Sequence, residues 1–434
     1  MAAAANLLLA ADTAAGVKGV TARATGVNQI KVVCETIPFF QSVSFGVWVL
    51  TGSRDETGPR NGISHFLEHL VFKGSGSKSA SQIAIEIDEL GGSIEAFTTR
   101  ENTCFGAHVV NTRLEKAFAL VAELMLASTF PSDEMELERR VILEELRSVD
   151  DNPVEMAYER LYESRFPGHP LGWPIAGSPE SVGRITRDDL FEFREHSYSP
   201  HKMVVAACGD ITLEALTALV ERHFGHLPQK NGAVLRQPPP VAPASVFIRK
   251  ELEQAHLLVV GPGLSMTDGR RMTLSLLNLI LGGCVSSRLF QNIREKRGLA
   301  YSIHSFHDRY ADCGIAGVYA ACVPESLDEI WRLTQEEMDT MGASLVAPDE
   351  LDRAKAQAQD NLKLSYESLD SRMSQIAGQI AYHGRFFSMD QILEEINAVT
   401  AEDIRALAVT MFGDPKLFTK LVVGPDGARR PWLS

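Results

Sequence analysis

Residues 61–71 read Asn61-Gly62-Ile63-Ser64-His65-Phe66-Leu67-Glu68-His69-Leu70-Val71. Asn61 or Ser64 can cap the start of a helix, and apolar residues recur there at spacings of three and four. Side chains three and four positions apart share one helical face, so His65, Glu68 and His69 lie together. Imidazole is a common zinc ligand, and a carboxylate beside a metal-bound water can take its proton. We therefore predict a helix that carries a metal site; two core histidines satisfied by a glutamate are the alternative.

A catalytic zinc site takes three protein ligands and a water, so a third ligand is expected elsewhere. Helix formers dominate residues 133–149, which include Glu138, Glu144 and Glu145. Two helical turns take about seven residues, so Glu138 and Glu145 lie on nearly the same face and Glu144 points elsewhere. We predict Glu145 as the third ligand and Glu138 as a carboxylate that orients a histidine or a bound water. Periodicity alone leaves Glu144 open, because either face can turn toward the first helix.

These stretches together resemble the M16 family of zinc metallopeptidases, whose motif is the His-x-x-Glu-His of the inverzincins. In size and layout the chain is similar to the short-chain branch, which includes the mitochondrial processing peptidases and their bacterial relatives. Residues 65–74 resemble the zinc helix of the family. Residues 138–146 resemble the helix of the distal ligand, where the second glutamate of a pair carries over to Glu145. Residues 283–302 resemble a C-terminal signature whose arginine and tyrosine bind the substrate backbone.

The resemblance implies a zinc-dependent endopeptidase acting on peptides or unfolded segments. One zinc ion per chain would be held by His65, His69 and Glu145, with Glu68 as the general base. The strand with Ala96, Phe97 and Thr98 would be an edge onto which substrate adds by backbone pairing; an ordinary edge strand is the alternative. Arg297 and Tyr301 would bind substrate, although by themselves they read as a surface pair.

One position departs from the family pattern. Many members have asparagine where this chain has Glu95, directly before the predicted substrate strand. A carboxylate there would add negative charge near the metal or the substrate. We expect it to affect substrate positioning and cleavage preference more than the chemistry.

The composition of the chain argues against nucleic-acid binding and a membrane span, and it bears on the location of the protein. The net charge of −14 leaves no electrostatic footprint for nucleic acid. No run of about 18 apolar residues predicts a membrane span, and residues 1–15 lack the basic residues of a signal or transit peptide. Six scattered cysteines without a Cys-x-x-Cys pair indicate reduced thiols, so a cytoplasmic location is expected.

A length of 434 residues predicts two or three domains. The proline-rich stretch between 228 and 245 divides the chain into a catalytic zinc-binding domain, 18–228, and a homologous domain, 246–434. By hand alignment, the metal positions of the second half fall on Met272, Leu276 and Asn361, which are poor zinc ligands. We predict an α+β fold with a mainly antiparallel sheet covered by helices in each domain. The predicted strands are 43–51, 105–110, 203–208, 256–260 and 315–320.

The chain carries both the zinc motif and the Arg297–Tyr301 pair, so the resemblance implies a homodimer that closes around the substrate. Two other functions are considered. A catalytically silent structural subunit would usually have lost motif residues, and none is lost here. A metal-binding core without hydrolysis leaves Glu68 without a purpose, and structural zinc normally has four protein ligands.

Overall fold

Two large β-sheets organise the protein, whose computed structural model describes residues 9–11, 21–76, 78–230, 232 and 236–433. The strands, in chain order, are β1 (Leu9–Ala11), β2 (Thr21–Val27), β3 (Ile30–Thr36), β4 (Ser42–Val49), β5 (Gly74–Ser75), β6 (Lys78–Ser79), β7 (Ser93–Thr98), β8 (Thr103–Val110), β9 (Met203–Gly209), β10 (Ser245–Arg249), β11 (Ala255–Pro262), β12 (Ala300–Arg309), β13 (Gly314–Cys322) and β14 (Thr419–Gly424).

The α-helices, in the same order, are α1 (Ile63–Leu70), α2 (Ala80–Leu90), α3 (Leu114–Ala127), α4 (Ser132–Asp151), α5 (Pro153–Arg165), α6 (Pro179–Arg184), α7 (Arg187–Ser197), α8 (Leu213–Phe224), α9 (Arg271–Asn278), α10 (Leu327–Ala343), α11 (Pro348–Ser365), α12 (Leu369–Gly378), α13 (Met389–Ala398) and α14 (Ala401–Phe412). The predicted helix 133–149 corresponds to α4, and the five predicted strands correspond to β4, β8, β9, β11 and β13. These predictions are confirmed, with ends that differ by up to two residues.

The first compact unit takes the described residues of 1–146, 174–235 and 363–392. Its seven-stranded sheet has the order β1-β2-β3-β9-β4-β8-β7, in which only the described pair β3 and β9 runs parallel. Helix α1 joins the core through four buried side chains at spacings of three and four: Ile63, Phe66, Leu67 and Leu70. That apolar stripe presses one face of α1 onto the core and leaves the opposite face for polar groups.

The second compact unit takes the described residues of 147–173, 236–362 and 393–434. Its five-stranded sheet has the order β10-β14-β11-β13-β12, and the one parallel pair among its described strands joins β10 and β14. Each unit therefore has a mixed, mainly antiparallel sheet accompanied by helices. The predicted α+β fold class is confirmed.

Two helices lie in a different unit from their sequence neighbours. Helix α5 buries Met156, Leu161 and other residues against the second sheet, whereas α12 buries Met373 and Ile376 against the first. The compact units are thus discontinuous in sequence, whereas the predicted domains 18–228 and 246–434 are continuous ranges. Periodicity identifies the apolar face of a helix, but it does not identify the sheet that covers that face.

Some sequence predictions concern the ends of the chain. The start of the predicted first domain at residue 18 and residue 434 lie outside the described residues, as does the stretch 1–15 apart from β1. Within the part of the chain that the structure describes, no helix combines the length and the apolar character needed to cross a membrane.

Candidate metal centre

The start of α1 is held by a buried glutamate that the sequence did not point to. Glu56 accepts hydrogen bonds from the backbone N–H groups of Gly62 and Ser64, at 2.7 and 2.8 Å, and from Nδ2 of Asn61 at 3.0 Å. The first amides of a helix have no partner within it, and this carboxylate supplies one. Burial raises the pKa of Glu56 to about 7. The predicted cap is therefore wrong: Ser64 lies inside α1, and Asn61 binds Glu56.

The conformation of Gly62 explains why this entry to α1 needs glycine. Gly62 precedes α1 with a φ of 92°, in the left-handed region that side chains with a Cβ rarely adopt. A Cβ there would lie 2.6 Å from the carbonyl oxygen of Ala176. The glycine thus lets the chain turn into α1 with the backbone of residue 176 packed against it.

Three potential ligands converge beside α1. Nε2 of His65 lies 3.3 Å from Nε2 of His69. The carboxylate of Glu145 approaches both rings, with Oε1 3.7 Å from Nε2 of His65 and Oε2 3.8 Å from Nε2 of His69. The ligand atoms of these three residues all lie within 4.8 Å of one another. Glu145, rather than the neighbouring Glu144, belongs to this group.

The donor set fits a zinc ion. Zinc bonds of about 2.0–2.2 Å in tetrahedral geometry place ligand atoms roughly 3.3–3.6 Å apart, close to the separations found here. Burial, and then the nearby His69, lower the pKa of His65 to about 4. The ring is therefore neutral near pH 7, which is the form that coordinates a metal. Glu145 contributes a carboxylate oxygen, so the set is His₂Glu, and a catalytic zinc ion with three protein ligands takes water as its fourth ligand.

Helix α4 presents a second carboxylate to the same histidine. Oε2 of Glu138 lies 3.1 Å from Nδ1 of His69, and the carboxylate is buried. An ionised carboxylate only accepts hydrogen bonds, so Nδ1 of His69 is the donor and its Nε2 is left with a lone pair. Glu138 and Glu145 both face α1, as their spacing of about two helical turns predicts.

Glu68 projects from α1 beside these ligands and outside the group of three. The hydroxyl of Thr98, in β7, donates a hydrogen bond of 2.5 Å to Oε2 of Glu68. Burial raises the pKa of Glu68 above its ordinary value, against the opposing effect of the Thr98 hydrogen bond. The carboxylate is thus a stronger base than an exposed glutamate, and it is tied to the strand predicted to bind substrate.

Strand β7 is the edge of the first sheet. It pairs with β8 through Ala96–Phe105 and Thr98–Thr103 and ends the strand order on that side. Alternate strand residues point to opposite faces, so Glu95 and Phe97 face away from the side on which Thr98 meets Glu68. Glu95 lines a cavity of about 110 Å³ with Phe97 and other residues. Its carboxylate therefore lies on the sheet face opposite Glu68.

Arg297 and Tyr301 lie in the second compact unit. Tyr301 is 76% exposed and sits at an irregularity in β12, where the pairing register shifts between Ala300 and Ser302. Nη1 of Arg297 donates a hydrogen bond of 2.9 Å to the backbone oxygen of Asn292. The ring of Tyr301 is thus presented to solvent, and the Arg297 guanidinium is held by the preceding helical turn.

The second half does not repeat the metal residues. Met272 and Leu276 lie in α9, where Leu276 is buried in the core, and Asn361 lies in α11. Among the described residues, the only group of three or more His, Cys, Asp or Glu side chains with converging ligand atoms is that of His65, His69 and Glu145.

Family models and curated relatives match most of the chain. Residues 31–178 match the family described as Insulinase (Peptidase family M16), and residues 184–358 match the Peptidase M16 inactive domain. The zinc protease YmxG of Bacillus subtilis is 35% identical over 405 residues, covering 93% of this chain and 98% of that protein. A zinc protease of Streptomyces coelicolor is 36% identical over 420 residues, covering 94% and 90%.

Solved structures share the fold. A peptidase M16 inactive domain from Pseudomonas fluorescens has a TM-score of 0.86 at 21% identity, covering 95% of this chain and 100% of that one. A protease from Helicobacter pylori has a TM-score of 0.85 at 21% identity, covering 94% and 100%. With the matches in sequence along nearly the whole length, these findings show that the chain belongs to the M16 family of zinc metallopeptidases.

Proposed function

We propose that this chain is a zinc-dependent endopeptidase that cleaves peptides or unfolded segments of polypeptide. The observation that carries the proposal is the convergence of His65, His69 and Glu145 within 4.8 Å, with Glu68 on the same helix as both histidines. A purely structural zinc site has no use for a carboxylate such as Glu68, which is outside the group of three ligands and does not orient a histidine as Glu138 does. All motif residues are present, which argues against a silent structural subunit.

His65, His69 and Glu145 would hold one zinc ion per chain. When bound, zinc polarises a scissile carbonyl and lowers the pKa of a coordinated water. Glu68 accepts the proton of the attacking water and returns it to the leaving amine nitrogen. The Thr98 hydroxyl donates a hydrogen bond to Oε2 of Glu68 and orients the carboxylate for this transfer. Glu138 keeps His69 oriented through Nδ1.

Substrate binds along β7, in our proposal, through backbone hydrogen bonds made by Ala96, Phe97 and Thr98. An edge strand offers unpaired N–H and C=O groups to an extended peptide. Thr98 lies in this strand and also contacts Glu68, so a peptide added to β7 passes close to the base. Recognition by main-chain groups makes few demands on substrate sequence, and it requires an extended segment rather than a folded protein.

The working enzyme would be a homodimer whose two copies enclose the substrate. Arg297 and Tyr301 would bind the substrate backbone and reach the metal centre of the partner copy. The exposure of Tyr301 is compatible with such a contact. The six cysteines are free thiols, which supports a reducing compartment and hence a cytoplasmic location.

Metal analysis combined with cleavage of a library of basic peptides tests the function directly. The purified chain should contain one zinc ion per copy and cleave peptides, and a chelator should abolish cleavage until zinc is restored. Cleavage that persists after complete removal of metal would contradict the proposal.

A further inference from the structure

Lys73, which is not one of the three candidate ligands, is connected to His69 through Glu138. Lys73 lies in the helical turn Val71–Lys73 that follows α1, four residues after His69. Its Nζ lies 2.7 Å from Oε1 of Glu138, whose Oε2 lies 3.1 Å from Nδ1 of His69. The three groups form a chain, ammonium to carboxylate to imidazole, that ends at the ring nitrogen facing away from the other ligands.

Burial makes this lysine necessary for the carboxylate. The side chain of Glu138 is 9% exposed, so an ionised group there needs compensation within the protein. Lys73 and His69 together engage both oxygens of Glu138, one each. Removing the ammonium would leave Oε1 without its ionic partner and free the carboxylate to turn away from Nδ1 of His69.

We propose that Lys73 is a positioning residue for the metal centre: it holds Glu138 against His69 and so keeps Nε2 of His69 aimed at the metal. This inference rests on the proposed function, because it concerns affinity for the ion that His65, His69 and Glu145 would hold. Outer partners of metal-bound histidines typically contribute about 10- to 100-fold to metal affinity. The competing explanation is a simple ion pair that fastens the end of α1 to α4 and has no effect on the metal.

Lys78 provides a matched control. Its side chain is 28% exposed, against 32% for Lys73, and it also pairs with carboxylates, those of Glu86 and Glu123 at 2.6 and 2.8 Å. Neither of these carboxylates contacts a histidine among the described contacts. Lys78→Met thus removes a comparable ion pair and leaves the contacts between Lys73, Glu138 and His69 in place.

The experiment measures zinc affinity of the full chain by competition with a chromophoric chelator, with thermal unfolding of each metal-free variant. We expect Lys73→Met to weaken zinc binding about 10- to 100-fold, Lys78→Met to leave it unchanged, and Lys73→Arg to recover most of it because the positive charge remains. Metal-free Lys73→Met and Lys78→Met should unfold at similar temperatures. A second measurement places Lys73→Met in a Glu138→Gln background, where it should add little because Lys73 acts through Glu138.

The outcomes distinguish failure of the proposed function from failure of the proposed role of Lys73. A wild-type chain that binds no zinc would overturn the proposed function, and with it this inference. Zinc binding by the wild type with unchanged affinity in folded Lys73→Met would overturn the role of Lys73 alone. Additive effects of Lys73→Met and Glu138→Gln would also overturn it.

Discussion

Glu68 is a half-buried carboxylate near the histidines, and Glu145 is an exposed one. Their surroundings suit them to different tasks. Glu145 approaches Nε2 of both rings, whereas Glu68 is held by Thr98 and has a raised pKa because of burial. A ligand needs an ionised oxygen aimed at the ion, and a base needs an oxygen that can take and release a proton. The two carboxylates are thus distinguished by contacts rather than by residue type.

Replacing the base tests that assignment. Glu68→Gln should retain zinc, because the three ligands remain, and should lower the rate of peptide cleavage by about 10²- to 10⁴-fold. Metal content and steady-state kinetics check both parts. Glu89→Gln, on the exposed face of α2, serves as the control and should behave as the wild type. Full turnover by Glu68→Gln would remove Glu68 from the mechanism.

The choice between adjacent glutamates is a second residue-scale prediction. Glu145→Gln should lose zinc and activity together, since a neutral amide is a poor zinc ligand. Glu144→Gln, one position away on α4, should keep both. Metal analysis of the two purified variants decides the matter, and the reverse pattern would show that the wrong face of α4 has been assigned to the site.

At the scale of elements, α1 depends on a residue seven positions before its first residue. Glu56 accepts from two backbone amides at the start of α1 and from Asn61. A buried acceptor of this kind orients the helix as well as stabilising it, because each bond has one favourable geometry. The helix that carries His65, Glu68 and His69 is therefore fixed at its start by Glu56 and along its length by its apolar stripe.

The raised pKa of Glu56 gives stability a pH dependence. Its pKa is about 7 in the folded chain, against an ordinary 4.5, so the folded state binds the proton more tightly. This contribution to stability is fully present below the ordinary value and is lost as pH rises through about 7. Glu56→Gln should lower the free energy of unfolding, because the NH₂ group of the glutamine would face a backbone N–H donor. It should also make the free energy of unfolding fall less steeply between about pH 5 and pH 8, because the titrating group is gone. Denaturant unfolding at several pH values measures the slope; equal slopes in both proteins would contradict the prediction.

At the scale of the whole molecule, the two compact units share one plan and differ in chemistry. Each has a mainly antiparallel sheet with one parallel pair among the described strands, β3–β9 in the first and β10–β14 in the second. The three candidate metal ligands belong to the first unit, and the exposed Tyr301 belongs to the second. In the proposed function, the first unit supplies both the metal centre and the substrate strand β7, and the second unit of a partner copy would supply Tyr301.

Mixing two inactive variants tests the dimer. If each site combines Glu68 of one copy with Tyr301 of the other, co-refolded Glu68→Gln and Tyr301→Ala chains should recover activity. Random pairing makes half of the dimers mixed, each with one intact site, so about one quarter of the wild-type activity is expected. Light scattering should show a dimer. An active monomer, or a mixture that recovers nothing while remaining dimeric, would contradict the shared site.

Much of the candidate site could be predicted because helix geometry is local. The common face of His65, Glu68 and His69, and that of Glu138 and Glu145, follow from spacings within a few turns. Glu56 and Lys73 were missed for a different reason. Glu56 lies outside α1, in a segment with no periodic pattern, and Lys73 finds its partner 65 positions further along the chain.

The sequence by itself determined the elements and the side chains that they present: α1 with His65, Glu68 and His69 on one face, α4 with Glu138 and Glu145 on one face, and strands that alternate with helices. Only the tertiary structure decided that Glu145 rather than Glu144 meets the histidines, that Glu56 caps α1, and that α5 and α12 each pack on the sheet of the other half. Periodicity arises from backbone geometry over a few residues, whereas these contacts depend on which buried surfaces meet, and the chain can bring any two apolar faces together.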